Sequence, residues 1–199
     1  MGSVGDVTEP KPLPPLPIRT ERLVLRRFAA ADLDAFHAYH SLPETARFLP
    51  REAKSYTQSM ETVGRYANFE FEKEGDWVAL AIEAQDSPGL LGEVVLKWLE
   101  GCGQAEIGWS LAPEARGRGI ASEAARALLK LGFEDLGFHR IDAKLDALNT
   151  ASAALCERLG MRLESRQVDK WHYKGEWATE VVYAILADEW KALQQVSGG

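Results

Sequence analysis

The feature that most constrains the fold of this chain lies at residues 111–123, where a predicted strand runs directly into a glycine-containing loop and then a long helix. Glycine tolerates positive φ angles and lets the backbone come close to a ligand, as Gly117 and Gly119 would here. The free N–H groups of the first helical turn point out of this end of the helix, where the helix dipole is positive. The loop therefore predicts a binding site for an anion, above all a diphosphate.

Two other phosphate-binding loops do not fit this segment. No Gly-Lys-Ser/Thr closes it, as a Walker loop requires, and the dinucleotide fingerprint needs a third glycine at a fixed step. Arg116 and Arg118 would add charge-assisted donors to a bound anion. The alternative interpretation is that Gly117 and Gly119 only shape a turn.

Periodicity along the rest of the chain predicts one mixed α/β domain. Alternation favours strands at residues 22–28, 77–83, 90–99, 105–111, 140–146, 162–173 and 177–185. Helical spacing favours helices at residues 32–42, 55–73 and 115–136, one from Asn149 to Gly160, and a closing helix at 188–193. A helix connects strand 105–111 to strand 140–146, so these two are expected to be parallel. The expected fold is thus a mostly antiparallel sheet with a central parallel pair, flanked by helices.

Two of the predicted helices have a defined apolar face that should turn toward the sheet. In helix 115–136 this face comprises Ile120, Ala124, Leu128 and Leu131. In helix 55–73 it comprises Met60, Val63, Tyr66 and Ala67.

Both ends of the chain have the composition of tails. Residues 1–17 carry five of the nine prolines and are expected to form a disordered, Pro-rich tail. Residues 194–199 are expected to form a second tail. The folded domain would then span residues 18–193.

Charge and cysteine content limit the classes of function. The formal net charge of -7 repels a phosphate backbone, so nucleic-acid binding is not expected. No apolar run is long enough to span a membrane, and the start of the chain lacks a signal-peptide core, so no membrane partner and a cytoplasmic location are expected. Cys102 and Cys156 are too few for a disulfide framework, and no cysteine or histidine has metal-ligand spacing, so no metal is expected.

Three stretches of the sequence resemble a known family. Residues 116–121, Arg-Gly-Arg-Gly-Ile-Ala, match the signature Gln/Arg-x-x-Gly-x-Gly/Ala of the GNAT superfamily of N-acetyltransferases. Residues 106–125 look like the branch that contains the bacterial ribosomal-protein N-terminal acetyltransferases, the RimJ/RimL type. Residues 149–161 and 175–190 match further motifs of that branch, so the resemblance runs in order from about Ile18 to Leu193.

The resemblance implies a single-domain GNAT fold with acetyl-coenzyme A (acetyl-CoA) as co-substrate. The strand before the loop would bond the pantetheine arm through its backbone, and the N–H groups of the loop would hold the pyrophosphate. Asn149 would contact the cofactor near the reacting centre. The cofactor-binding residues implied in this way are Trp109, Ser110, Leu111, Arg116, Gly117, Arg118, Gly119, Ile120, Ala121 and Asn149.

Acetyl transfer to an amine requires the amine to lose a proton and the leaving thiolate to gain one. Glu106 is the candidate base, because it shares a strand face with Ser110 beside the expected cofactor. Its alternative role is to pair with a nearby Arg or backbone N–H. Ser152 is the candidate acid, since many GNAT enzymes have a tyrosine where this chain has Cys156. Its alternative role is a backbone hydrogen bond at a helix start.

The expected activity is transfer of an acetyl group from acetyl-CoA to a primary amine, above all a peptide or protein N-terminal α-amine. An α-amine has a pKa of roughly 7.7–8.0, against about 10.4 for lysine, so it needs only a modest base. One alternative acceptor is a small amine such as a polyamine, aminoglycoside or amino-acid analogue. A non-catalytic acyl-CoA-binding module is the alternative from a different class. The oligomeric state is open, with a homodimer as one option.

Overall fold

A computed structural model describes residues 11–101 and 103–197, which form one mixed α/β domain. The strands are β1 (Ile18–Arg19), β2 (Leu23–Arg26), β3 (Trp77–Ala84), β4 (Leu90–Trp98), β5 (Gln104–Leu111), β6 (Arg140–Asp146), β7 (Arg162–Tyr173) and β8 (Glu176–Leu186). The α-helices are α1 (Leu33–His40), α2 (Pro43–Ala46), α3 (Tyr56–Ala67), α4 (Ile120–Lys130), α5 (Thr150–Arg158) and α6 (Ala187–Ser197).

The described strands make a single eight-stranded sheet in the order β1-β2-β3-β4-β5-β6-β8-β7. Strands β5 and β6 pair in parallel, and the other neighbours pair antiparallel. The predicted fold class, a mostly antiparallel sheet with one parallel pair, is therefore confirmed. Helix α4 makes the crossover that a parallel pair requires.

Helices cover both faces of the sheet. On one face, which we call the α4 face, α4 buries the predicted stripe of Ile120, Ala124, Leu128 and Leu131. On the opposite face, the α1/α3 face, α1 and α3 cover a smaller apolar cluster that includes Phe28, Phe36, Tyr39 and Val63. Because side chains alternate along a strand, consecutive residues within β5, and within β6, reach opposite faces of the sheet.

The predicted helix 115–136 begins later than expected. Residues Pro113–Ala115 form a separate 3-10 turn, and α4 starts at Ile120, after Gly119 with a φ of 77°. A left-handed residue cannot continue a right-handed helix, so Gly119 fixes the start of α4. At the other end a π-helical turn, Leu131–Asp135, extends the helix close to its predicted limit.

The predicted apolar face of α3 packs inward except at Met60, and two polar residues are buried beside it. Met60, expected inside, is 52% exposed, whereas Ser59 and Thr62 are buried. Ser59 Oγ lies 3.0 Å from His37 Nδ1, and Lys54 Nζ donates to Thr62 Oγ1 at 3.1 Å. Small polar residues face inward here because each hydroxyl has an internal partner.

The N-terminal segment lies closer to the core than a disordered tail would. Residues 1–10 of the predicted tail lie outside the described residues. In residues 11–17, Leu13 and Leu16 are partly buried against the core, and the Lys11 N–H donates to the Leu136 carbonyl at 2.9 Å. The two leucines supply the apolar surface that a composition dominated by proline conceals.

The C-terminal boundary also differs from the expected one at residue 193. Helix α6 continues to Ser197, since residues 194–197 contain no glycine or proline to end it. Residues 198–199 and Cys102 lie outside the described residues. Strand β1 and helix α2, of 2 and 4 residues, were not predicted because such short segments show no period.

We expect residues 11–16 to contribute to stability. A chain that starts at Pro17 lacks the contacts of Leu13 and Leu16, which a chain that starts at Lys11 retains. Partial burial of two leucines is worth about 1–2 kcal/mol, which lowers the melting temperature of a protein of this size by roughly 3–8 °C. Thermal unfolding followed by circular dichroism compares the two chains. Melting temperatures within about one degree of each other would show that the segment adds nothing.

Candidate functional site

The candidate site begins where the parallel strands part. The β5–β6 ladder consists of three residue pairs and ends with Glu106 opposite Asp142. Beyond this point β5 continues to Leu111 alongside β4, and β6 continues to Asp146 alongside β8. The sheet therefore opens into a cleft whose walls are the backbone of β5 and the end of β6.

The glycine loop lies at the mouth of this cleft. Gly117 and Gly119 have φ angles of 71° and 77°, and a Cβ built on Gly117 would meet no atom within 4 Å. Backbone bonding in the loop includes the Arg116 N–H to the Pro113 carbonyl at 3.2 Å and the Glu123 N–H to the Gly119 carbonyl at 3.1 Å. Between these bonds lies the first turn of α4, whose N–H groups have no acceptor within the helix. The open cradle and the positive helix end fit a diphosphate group.

The two arginines of the loop differ in their surroundings. The Arg116 guanidinium bonds to the Leu111 carbonyl, Glu44 and Thr45 at 3.2, 3.3 and 3.2 Å, so it ties the loop to α2. Arg118 is exposed, and its carbonyl accepts from the Arg22 guanidinium at 3.2 Å. Of the two predicted anion donors, Arg116 is thus already engaged by other residues of the chain.

A carboxylate anchors the first turn of α4. Glu123 Oε1 accepts from the Thr20 hydroxyl at 2.6 Å and from the Arg22 N–H at 2.8 Å, and Oε2 accepts from Arg22 Nε at 2.7 Å. Burial alone would raise the pKa of Glu123, but these hydrogen bonds outweigh it and hold the pKa below its usual value. The N-terminal segment thereby holds the loop in place.

Two concave spaces meet at the cleft. A groove of about 350 Å³ runs along the glycine loop and the start of α5. A cavity, also of about 350 Å³, extends under α1 and α3. Their common wall consists of Phe48, Leu49, Trp109, Ser110, Asn149 and Ser152. The sequence-predicted residues Leu111, Arg116, Gly117 and Ala121 line only the groove, and Glu106 lines only the cavity. The Ile120 side chain is buried in the core, which leaves only its backbone N–H at the loop.

Ser152 lies at this common wall as the first turn of α5 dictates. Asn149 caps the helix, with its side-chain oxygen accepting from the Ser152 N–H at 3.2 Å. The Trp109 indole N–H donates to Ser152 Oγ at 3.2 Å, which leaves the hydroxyl proton free to be donated elsewhere. Cys156 is buried one turn later, and burial raises the pKa of its thiol to about 12. A thiol of that pKa stays protonated and unreactive at neutral pH.

Glu106 forms an ion pair rather than standing alone. Lys144 Nζ donates to Glu106 Oε2 at 2.7 Å, and both side chains are about one-third exposed, at 36% and 31%. Beside them Asp142 is buried, and among the described residues its Oδ1 has no hydrogen-bond partner. Burial raises the pKa of Asp142, against the effect of Lys144 and with the support of Glu106. Two acidic groups and one ammonium thus meet where the strands part.

A buried polar network in the cavity has no counterpart in the sequence analysis. Glu93 Oε1 accepts from His40 Nε2 at 2.8 Å, and Arg51 donates to His40 Nδ1 at 2.7 Å. The Tyr39 hydroxyl donates to the other oxygen of Glu93. Burial raises the pKa of Tyr39, so this phenol remains a donor. The available signal was Glu93 itself, a carboxylate between Gly92 and the apolar residues 94–96 of β4, since a buried charge requires partners.

The described residues contain neither a group of metal ligands nor a membrane-spanning helix. Within 11–101 and 103–197, no three His, Cys, Asp or Glu side chains are grouped as metal ligands would be. In the same part of the chain, every helix is too short or too polar to cross a bilayer.

A family model matches most of the chain, including the parallel pair that parts at the cleft and the glycine loop before α4. The model of the acetyltransferase (GNAT) domain matches residues 22–162. The chain therefore belongs to the GNAT family and is an N-acetyltransferase, as the sequence resemblance implies. Acetyl-CoA is the acetyl donor that the family uses.

Individual relatives agree with this assignment. The chain is 32% identical over 174 residues to the uncharacterized N-acetyltransferase YnaD of Bacillus subtilis, covering 87% of this chain and 98% of the relative. It is 25% identical over 189 residues to the ribosomal protein uS5-alanine N-acetyltransferase of Escherichia coli, covering 89% and 94%. The crystal structure of a GNAT-family acetyltransferase from Bacillus anthracis matches with a TM-score of 0.79 and 30% identity, covering 87% of this chain and 99% of that one.

Gly119→Val tests whether the loop holds the cofactor. The added side chain must adopt a φ of 77°, and its Cβ would lie 3.4 Å from the Arg22 guanidinium. We expect the affinity for coenzyme A to fall at least tenfold, because the side chain and the backbone shift obstruct the cradle. Isothermal calorimetry measures the affinity.

Gly137→Val is the matched control for this substitution. Gly137 has a similar φ of 82° with open space around it, and it follows the far end of α4. The Gly137→Val variant should lose about as much stability as Gly119→Val and should retain coenzyme A binding. If folded Gly119→Val bound coenzyme A as tightly as Gly137→Val, the cofactor would have to bind elsewhere.

Proposed function

We propose that this N-acetyltransferase transfers the acetyl group to a peptide or protein N-terminal α-amine, as the RimJ/RimL branch does. The observation that carries the proposal is the continuity of three spaces. The cofactor-side groove meets the cavity at Trp109, Ser110, Asn149 and Ser152. The cavity in turn shares Phe48 and Asp146 with a third cleft, of about 290 Å³, beside the β7–β8 hairpin. This third cleft gives room for the residues that follow an N-terminal amine.

The residues of the groove fit acetyl-CoA, which supplies an acetyl group activated as a thioester. The N–H groups from Gly117 to Ala121 hold the pyrophosphate at the positive end of α4. Trp109, Ser110 and Leu111 offer the backbone of β5 to the pantetheine arm, along the stretch where β5 has parted from β6. Asn149 and Ser152 stand across the cleft from that backbone.

Glu106 removes the proton of the acceptor amine, through a water molecule. Its carboxylate lines the cavity, and the ion pair with Lys144 holds it in one orientation through Oε2. The second oxygen, Oε1, then remains available to accept the proton that the acceptor amine loses. A modest base is sufficient because an α-amine has a pKa of roughly 7.7–8.0 and is partly neutral at pH 7.

Ser152 donates a proton to the leaving thiolate, the role that a tyrosine has in many GNAT enzymes. Its oxygen accepts from the Trp109 indole at 3.2 Å, so its own O–H points away from Trp109. Charge that develops at the sulfur is then stabilised by an oriented donor. Cys156 takes no part, since its thiol is buried and protonated.

One of the relatives supports a protein acceptor. The uS5-alanine enzyme of Escherichia coli, similar over 89% of this chain, acts by its name on a ribosomal-protein alanine. A ribosomal-protein acceptor would place the reaction in the cytoplasm.

We expect Glu106→Gln and Ser152→Ala to slow turnover in different ways. Loss of a general acid or base lowers the rate by about 10²–10⁴. Glu106→Gln should lower kcat most for strongly basic amines, which need more help in losing a proton. Ser152→Ala should lower kcat to the same extent for every acceptor, because it acts on the leaving group. Thiol release from acetyl-CoA measures both, with peptides and small amines as acceptors.

Matched exposed variants separate these effects from general damage. Glu72→Gln and Ser87→Ala lie in exposed loops and should retain wild-type rates. A kcat within about threefold of wild type for Glu106→Gln or Ser152→Ala would exclude that residue from its role. Turnover with small amines but with no peptide would instead exclude the proposed acceptor.

A further inference from the structure

The cavity is lined by more basic than acidic side chains. Arg51, Lys54 and Arg65 line it together, although the chain as a whole has a formal net charge of -7. Arg51 and Lys54 are partly buried, between α1 and α3. Three basic side chains grouped in one cavity of an acidic chain indicate that the positive charge has a function in this cavity.

The carboxylates that line the same cavity are already bonded. Both oxygens of Glu93 accept hydrogen bonds, from Tyr39 and His40. Glu106 pairs with Lys144 at 2.7 Å, and Asp146 accepts from the Tyr173 hydroxyl at 2.8 Å. The charge of Glu93 still acts on Arg51 and Lys54, but among the described residues no carboxylate forms a direct ion pair with Arg51, Lys54 or Arg65.

Lys54 shows the effect of the neighbouring positive charges. Its ammonium donates to a neutral partner, the Thr62 hydroxyl, at 3.1 Å. Burial lowers the pKa of Lys54, and the nearby Arg51 and Arg65 lower it further, against weaker effects of Glu93 and Glu61. A bound anion would relieve both the desolvation and the mutual repulsion of these groups.

We infer that the acceptor amine carries a carboxylate, which binds to Lys54, Arg51 and Arg65 in the cavity. The inference rests on the proposed function, since it takes this cavity as the acceptor site. A cavity of about 350 Å³ accommodates a carboxylate and an amine on one small molecule or on the first residues of a peptide. A polyamine is disfavoured, because its second ammonium would meet three cations.

Pairs of acceptors that differ only in one carboxylate test this inference. Ala-Gly is compared with Ala-Gly-amide, and Ala-Asp-amide is compared with Ala-Asn-amide. The first pair places the carboxylate at the chain end and the second places it on a side chain. Hydrogen bonds to charged groups predict at least a tenfold preference in kcat/KM for the acid. Preference in one pair identifies the source of the carboxylate, and no preference in either pair overturns the inference.

Variants locate the preference in the cavity. Lys54→Met and Arg65→Gln should each bring the acid-to-amide ratio toward one. Lys191→Met, an exposed lysine on α6, is the matched control and should keep both the ratio and the rates. A ratio that is unchanged in Lys54→Met and Arg65→Gln overturns the assignment.

Calorimetric binding of the same peptides separates this inference from the proposed function. If none of the peptides is acetylated, the proposed acceptor is wrong. Tighter binding of the acids, lost in Lys54→Met, would then still support the carboxylate site. Equal binding of acids and amides would overturn it.

Discussion

The parting of β5 from β6 is the constraint on which the rest of the site depends. Their ladder ends at Glu106 and Asp142, although each strand continues with its other neighbour. A sheet strand that loses a neighbour exposes backbone donors and acceptors that must find other partners. In this protein those groups line a cleft, with the glycine loop at its mouth and the start of α5 across it. The loop is fixed by Gly119 at the start of α4 and by the Glu123 bonds to Thr20 and Arg22.

The charged groups around this cleft differ in how deeply they are buried. Glu106 and Lys144 form a partly exposed ion pair where the strands part, while Glu93 is buried and bonded through His40 to Arg51. The first arrangement leaves a carboxylate oxygen open to a substrate. In the second, both carboxylate oxygens of Glu93 have hydrogen-bond partners, as a buried charge requires. The net charge of the chain therefore says little about the charge that an acceptor meets inside the cavity.

The sequence predicted the parts of the molecule that repeat or that match a family signature. The parallel pair, the buried stripe of α4 and the start of α5 after Asn149 follow from periodicity and from local rules. The burial of Ser59 and Thr62 on α3 did not follow, because it depends on hydrogen-bond partners that lie outside this helix. The pairing of Glu106 with Lys144, 38 residues later, and the cavity network of Glu93 escaped prediction for the same reason. The predicted roles of Glu106, Ser152 and the loop residues remain predictions.

The open stretch of β5 is an unpaired sheet edge, and such edges invite pairing with strands of other molecules. Proteins usually protect an outer edge with charges, proline or a covering loop. Here the edge lies in the middle of the sheet, between β4 and the diverging β6. The Trp109–Ser152 bond at 3.2 Å brings α5 against it. A flexible, thread-like ligand needs less room beside this backbone than a strand of another protein with its side chains. The unpaired backbone of β5 is thus available to a ligand, while its position in the middle of the sheet protects it from pairing with a strand of another protein.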